Sequence, residues 1–183
     1  CAPSGNELSR AITTLPTKPE VLYLTPRTLA EIDENILAVG RAIGREREAL
    51  ALVASNRTRL QAVREATRGR VRRRVVFLEW TDPFYCAGHW VPEMIEIAGG
   101  EDPFGRAGGD SVRIEVDAVQ AFNPEIVVVA PCGFGLADAE RLARGLPHFG
   151  AADVRAVDAN AYFARPGPRY VDGVAVLGDL FQG

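Results

Sequence analysis

Apolar side chains change their spacing several times along this chain, and each change predicts an element. Ile32, Ile36, Val39 and Ile43 recur at steps of 4, 3 and 4 between Thr28 and Gly44. That spacing predicts a helix opened by a Thr28/Glu31 capping box and closed by glycine. From Arg45 to about Arg68, Leu50, Val53, Leu60 and Val63 share one stripe among arginines and glutamates. This second helix would be about 36 Å long, enough to bridge two lobes. It has too few clean heptads for a coiled coil. Val75-Val76-Phe77-Leu78 is unbroken and reads as a strand buried on both faces, ending near Glu79 because Asp82-Pro83 begins a turn. Residues 125–130 give a second buried strand and 154–157 a shorter third. Helices are expected from Pro92 to Gly99, over 117–122, over 136–145, and from Pro168 with Val171, Val174 and Leu177 on one face; Gly173 and Gly178 weaken the last. Ahead of all this, Ser4 and Glu7 cap a helix over 4–15, and Val21–Leu24 reads as a strand between Pro19 and Pro26. Strands alternating with helices predict an α/β parallel sheet with right-handed crossovers.

Composition narrows the classes without choosing among them. The 183 residues are 47% hydrophobic and 25% charged, as in a soluble domain, and the net charge of −3 gives no reason to expect a polyanion partner. No apolar run nears the roughly 20 residues of a membrane span, and no signal peptide is visible. Cys1 at the start raises the possibility of a processed lipoprotein. Three cysteines cannot all pair within the chain. Arg68, Arg70, Arg72, Arg73 and Arg74 are read as a solvated helix C-terminus rather than a nucleic-acid patch, since no aromatics interleave them.

The candidate chemistry lies behind the first strand, where Glu79, Trp80, Asp82, Phe84, Tyr85, Cys86, His89 and Trp90 crowd one loop. In open α/β sheets ligands sit beyond the carboxyl ends of strands, and aromatic side chains there suit the walls of a flat ligand. Phe134, Tyr162 and Phe163 fall on loops of the same sheet edge; Phe84 and Phe163 could equally be core. A dinucleotide fingerprint is rejected, because Asp138 stands where Gly133-x-Gly135 needs a third glycine. A thiol or hydrolytic enzyme could use Cys86 and His89, with Asp82 or Glu79 orienting the imidazole. Only two histidines are present, too few for a naked metal ion, so no metal site is assigned. A single imidazole at position 89 suits an axial approach to a macrocyclic metal better than a naked ion, although its plainer reading is a hydrogen-bonding loop residue.

The pattern Glu79-Trp80-x-Asp82-Pro83-Phe84 followed by Gly88-His89-Trp90-x-Pro92-Glu93 and Ala98-Gly99-Gly100 resembles the cobalamin-binding receptors of ABC importers, class III solute receptors of two α/β lobes joined by one long helix. The likeness recurs at residues 128–134, 158–169 and 1–7. It implies three parts: 1–27 a remnant of an N-terminal lobe, 28–69 the connecting helices, and 70–183 a Rossmann-like C-terminal lobe, with the N-terminal lobe largely missing. It implies a receptor rather than an enzyme, without a cofactor, that holds cobalamin or a related corrinoid between lobes and hands it to a permease. Ligand contacts are expected from Trp80, Phe84, Tyr85, His89, Trp90, Phe134, Asn160, Tyr162 and Arg165, with Arg165 alternatively paired to Asp158. Glu115 and Asp117 would dock on permease arginines. The location implied is periplasmic or extracytoplasmic, at the membrane only through the permease.

Two alternatives stay open, a haem or iron-siderophore receptor of the same fold and the Cys86/His89 enzyme. The segment between Pro147 and Val154 is shorter than in relatives. If one lobe is absent, the chain should bind weakly and associate with itself through Leu8, Ile12, Leu22 and Leu24. Trp80 and Trp90 are expected to face the cleft, so that losing the Trp90 ring would hardly alter stability.

Overall fold

The computed structural model describes residues 10, 12–17 and 19–182. Most of the helix expected over 4–15, the motif at 1–7 and Leu8 lie outside them. Two helices come first. Helix α1, Leu29–Ala42, starts where the Thr28 hydroxyl accepts the Glu31 N–H at 3.2 Å. The Glu31 carboxylate reaches back one residue further than a capping box does, to the Arg27 N–H. Helix α2, Glu46–Thr67, is the long one, and Gly40 of α1 lies directly against the Ala49 methyl of α2.

The sheet contains β1 (Arg73–Thr81), β2 (Phe84–Cys86), β3 (Gly100–Glu101), β4 (Ile126–Val129) and β5 (Asp153–Ala156). The order is β2-β1-β4-β5, with β1, β4 and β5 parallel, β2 antiparallel, and β3 beside the start of β1. Period-two alternation sorts the two central strands into opposite layers. Val75, Phe77, Ile126 and Val128 face α1, α2, α3 (Val91–Ile97) and α7 (Tyr170–Gln182). Val76, Leu78, Val127 and Val129 face Phe84, Val119 of α4 (Val116–Phe122) and Phe149. Helices α5 (Leu136–Ala143) and α6 (Ala159–Tyr162) complete the described elements. The α/β class and the parallel sheet are as the alternation predicts.

Three local expectations are corrected. Val21–Leu24 forms no strand, and Leu22 and Leu24 are exposed; β propensity makes a strand only beside a partner edge. Arg73 and Arg74 belong to β1, not to a helix end. Glu125 gathers both, accepting from the Arg73 guanidinium at 2.9 Å and the Arg74 N–H at 2.9 Å. Thirdly, β1 runs past Glu79 to Thr81, because Phe84–Cys86 folds back as a hairpin strand across a cis Asp82–Pro83 bond. Trp80 is thus a strand residue opposite Tyr85, just after a register shift between Leu78 and Trp80. Gly173 does not break α7. A Cβ there would meet the Met94 methyl at 2.7 Å and Phe163 at 3.2 Å, so the helix needs a glycine to pack that closely.

Two carboxylates tie separate elements together. Asp33, on α1, accepts the Tyr170 hydroxyl and the Arg57 Nε, each at 2.8 Å, and so joins α1, α2 and α7. Beside it, Asn56 donates to the Pro168 carbonyl at 3.2 Å. Asp102 accepts the Phe77 and Phe104 N–H groups, each at 2.9 Å, capping a β1 donor that the two-residue β3 is too short to reach.

Burial pushes the Asp102 carboxyl from 3.8 up to about 6. A carboxyl that holds its proton more tightly when folded contributes stability that is fully present below its unfolded pKa, near 4. That contribution is lost as pH rises through about 6. Urea unfolding from pH 4 to 7 should show the wild type losing up to about 3 kcal/mol more than Asp102→Asn, which has no such proton to release. Parallel pH profiles for the two proteins would rule this out.

Candidate functional site

A cavity of about 530 Å³ opens at the carboxyl ends of β1 and β4. Five stretches build it. Glu79 comes from the end of β1, and Ala130 and Cys132 follow β4. The loop into α3 supplies Gly88, His89, Trp90 and Val91; the chain after α6 supplies Phe163, Ala164 and Pro166. Leu24 to Arg27 closes the remaining side. This is where strand ends diverge from their crossover helices, leaving a crevice for a ligand.

Hydrogen bonds hold the loop that carries His89 and Trp90. His89 has φ 54°, a left-handed conformation uncommon outside glycine. Its N–H donates to the Gly109 carbonyl at 2.7 Å, and its own carbonyl accepts the Gly108 N–H at 2.9 Å. Glu79 accepts the Gly88 N–H at 3.0 Å through one oxygen and the Ser111 hydroxyl through the other. Its carboxyl is pushed above the usual range, chiefly by burial. At the mouth, Arg27 donates to Asp110 at 2.7 Å and to the Gly108 carbonyl at 2.8 Å, and its ion pair holds Asp110 below the usual range. Asp110 is also 3.7 Å from His89 Nε2. Trp90 is 9% exposed, belongs to the core on its inner side, and has an indole N–H with no hydrogen-bond partner among the described residues.

Of the residues put forward from the sequence for ligand contact, His89 and Trp90 line the cavity. The other seven do not. Phe84 is buried on the opposite sheet face, 6.0 Å from Phe149 between ring centroids. Trp80 is partly exposed, donates to the Asp82 carbonyl and packs edge-on to Phe134 at 5.5 Å. Tyr85 is partly exposed across from Trp80 and bridges to Arg113. Asn160 staples its loop by donating to the Gly133 carbonyl at 2.8 Å, and Tyr162 packs against the core. Arg165 is exposed between two lining residues, while Asp158 caps α6 by accepting the Ala161 N–H. Glu115 and Asp117 are exposed at the start of α4, Glu115 paired with Arg113 at 3.2 Å.

The lining also includes residues the sequence reading did not choose. Leu24 to Arg27 belong to a segment read as a strand and its end. Ala130 and Cys132 lie just past a strand and inside the stretch 128–134 that carries the resemblance, but neither is named there as a ligand contact. Glu79 opens the resemblance motif and could orient an imidazole in the enzyme alternative, yet neither marks it as a wall of the cavity.

The geometry does not favour a Cys86 nucleophile. Cys86 has no exposed surface, donates to the Phe104 carbonyl at 3.3 Å, and burial pushes its thiol up, whereas a reactive thiol needs access and a lowered pKa. Among the described residues, no three His, Cys, Asp or Glu side chains converge to hold a metal ion. Cys86 is buried and Cys132 exposed, and both are free thiols.

A family profile described as periplasmic binding protein matches residues 6–160. The chain belongs to that family. The periplasmic binding proteins are solute-binding proteins of ABC importers rather than enzymes, which implies a ligand, a permease partner and an extracytoplasmic setting. Solved structures agree on the fold. The vitamin B12 binding protein BtuF of Vibrio cholerae is similar with a TM-score of 0.69 at 20% identity, over 97% of this chain and 69% of that one. The heme-binding protein RhuT of Roseiflexus gives 0.73 at 22%, over 99% and 72%. IsdE of S. aureus, solved with heme, gives 0.77 at 16%, over 97% and 73%. Among curated proteins the sequence finds no significant match. Within this periplasmic binding protein, no helix of the described residues is long and apolar enough to cross a membrane.

Proposed function

We propose that this chain is a substrate-binding component of an ABC importer whose ligand is cobalamin or a related corrinoid, delivered unchanged to a permease. The observation that carries the reading is the cavity itself. It is large, mostly apolar, placed at the strand ends, and walled by the rings of Trp90 and Phe163. Such a site suits a broad apolar ligand held by area, with a few polar groups fixing its orientation. His89 is the one histidine among the described lining residues, and its side chain is 39% exposed, accessible to the metal of a macrocycle. The exposed acids Glu115 and Asp117 are our candidates for contact with the permease.

Haem is the second reading. The same exposed imidazole favours it, since haem iron takes a histidine ligand readily. Titrations with cyanocobalamin and with haemin separate the two. The corrinoid reading expects saturable one-to-one binding of cyanocobalamin with quenching of tryptophan fluorescence. Haemin binding with a Soret shift that His89→Ala abolishes, and no response to cyanocobalamin, would replace it with haem.

A further inference from the structure

We infer that Glu79 determines specificity at this cavity, selecting a ligand whose periphery carries hydrogen-bond donors such as primary amides over one whose periphery carries carboxylates. The inference rests on the reading of the cavity as the ligand site and goes on to name the chemistry of the ligand's edge.

Glu79 lines the cavity, and each of its oxygens takes one donor from the protein, the Gly88 N–H and the Ser111 hydroxyl. An ionised carboxylate offers roughly four acceptor sites, so about half of its capacity is left for a ligand. Among the described residues no arginine or lysine pairs with it; burial is the largest influence on its carboxyl and pushes it up, while its two donors and, least of all, His89 act the other way. The lining arginine, Arg27, is already bound to Asp110 and to the Gly108 carbonyl, so the mouth adds little net positive charge. His89 and Cys132 are the other titratable side chains of the wall. A peripheral carboxylate entering here meets a like charge in a partly desolvated space. A peripheral amide meets open acceptor sites. Rejection by an unpaired or like-charged group discriminates more sharply than any gain in apolar contact.

The test uses cyanocobalamin and its set of monocarboxylic acids, in each of which one peripheral amide has been hydrolysed. Wild-type protein should bind at least one acid about tenfold more weakly than the parent. In Glu79→Gln that gap should shrink to within about twofold. Glutamine retains the local fold, since its oxygen accepts the Gly88 N–H and its amide nitrogen donates to the Ser111 hydroxyl oxygen. Ser111→Ala leaves the carboxylate in place and should keep the gap, even though the loop is less firmly tied. Equal binding of parent and acids by the wild type overturns the inference while leaving the cavity reading intact. So does a gap that Glu79→Gln leaves unchanged. Failure of the folded wild type to bind either probe overturns both.

Discussion

Trp90→Ala should lower the free energy of unfolding by about 3 kcal/mol, near the lower end of the range for removing a large aromatic from a packed core. The sequence reading expects almost no change, because it leaves the ring free in a cleft. In the structure Trp90 has one side in the cavity wall and the other among the buried residues of the α3 layer, with 9% of its surface exposed. Its removal opens a void beneath the cavity. The loss is held toward the low end because the indole N–H finds no partner among the described residues, and an unsatisfied buried donor itself costs about 1–3 kcal/mol. Binding of the ligand proposed above should fall as well, since the same ring forms the cavity wall. Urea unfolding with far-UV detection checks the first part. An unfolding midpoint equal to wild type would show that the ring carries no core packing.

Gly88→Ala should have the largest effect on the site relative to its size, costing about 1–3 kcal/mol of stability and most of the ligand affinity. A Cβ at this position would collide with the Ser111 backbone nitrogen, and would lie 2.5 Å from the Ser111 hydroxyl oxygen and 2.9 Å from the Asp110 carbonyl carbon. Those atoms are chiefly backbone and cannot rotate away. The stretch from Asp110 to Ser111 must shift, and with it go the Ser111 hydroxyl bond to Glu79 and the Arg27–Asp110 pair. Amide hydrogen exchange should therefore rise across residues 105–112 while β1 and β4 remain protected. Uniform exchange in mutant and wild type would mean that the loop absorbs a methyl group at no cost. The Glu79 carboxylate would also lose its Gly88 donor geometry, so His89 and Trp90 should become less well placed even where the protein remains folded.

Much of this protein was fixed by local pattern. Helical spacing from Ile32 to Ile43 and the stripe along residues 45–68 placed α1 and α2 to within a residue or two. The apolar runs at 75–78 and 126–129 placed the two central strands, because a strand buried on both faces has no polar positions to confuse its period. With that order of elements known, the region of the site followed from the rule that ligands gather beyond the strand ends.

The tertiary structure decided which side chains reach the cavity. Phe84 and Trp90 look alike in sequence, aromatic residues in one short loop. The β1–β2 hairpin turns Phe84 to the far face of the sheet, and the start of α3 brings Trp90 to the cavity. A two-residue turn after Thr81 was enough to move Trp80 from a loop into a strand. Local pattern does not show that Glu79 reaches the cavity; its partners Gly88 and Ser111 lie 9 and 32 residues away. Spacing along the chain encodes period and turn. It does not encode which distant donors converge on one carboxylate, because that depends on how the strand ends, the α3 loop and the segment at Leu24–Arg27 are packed against each other.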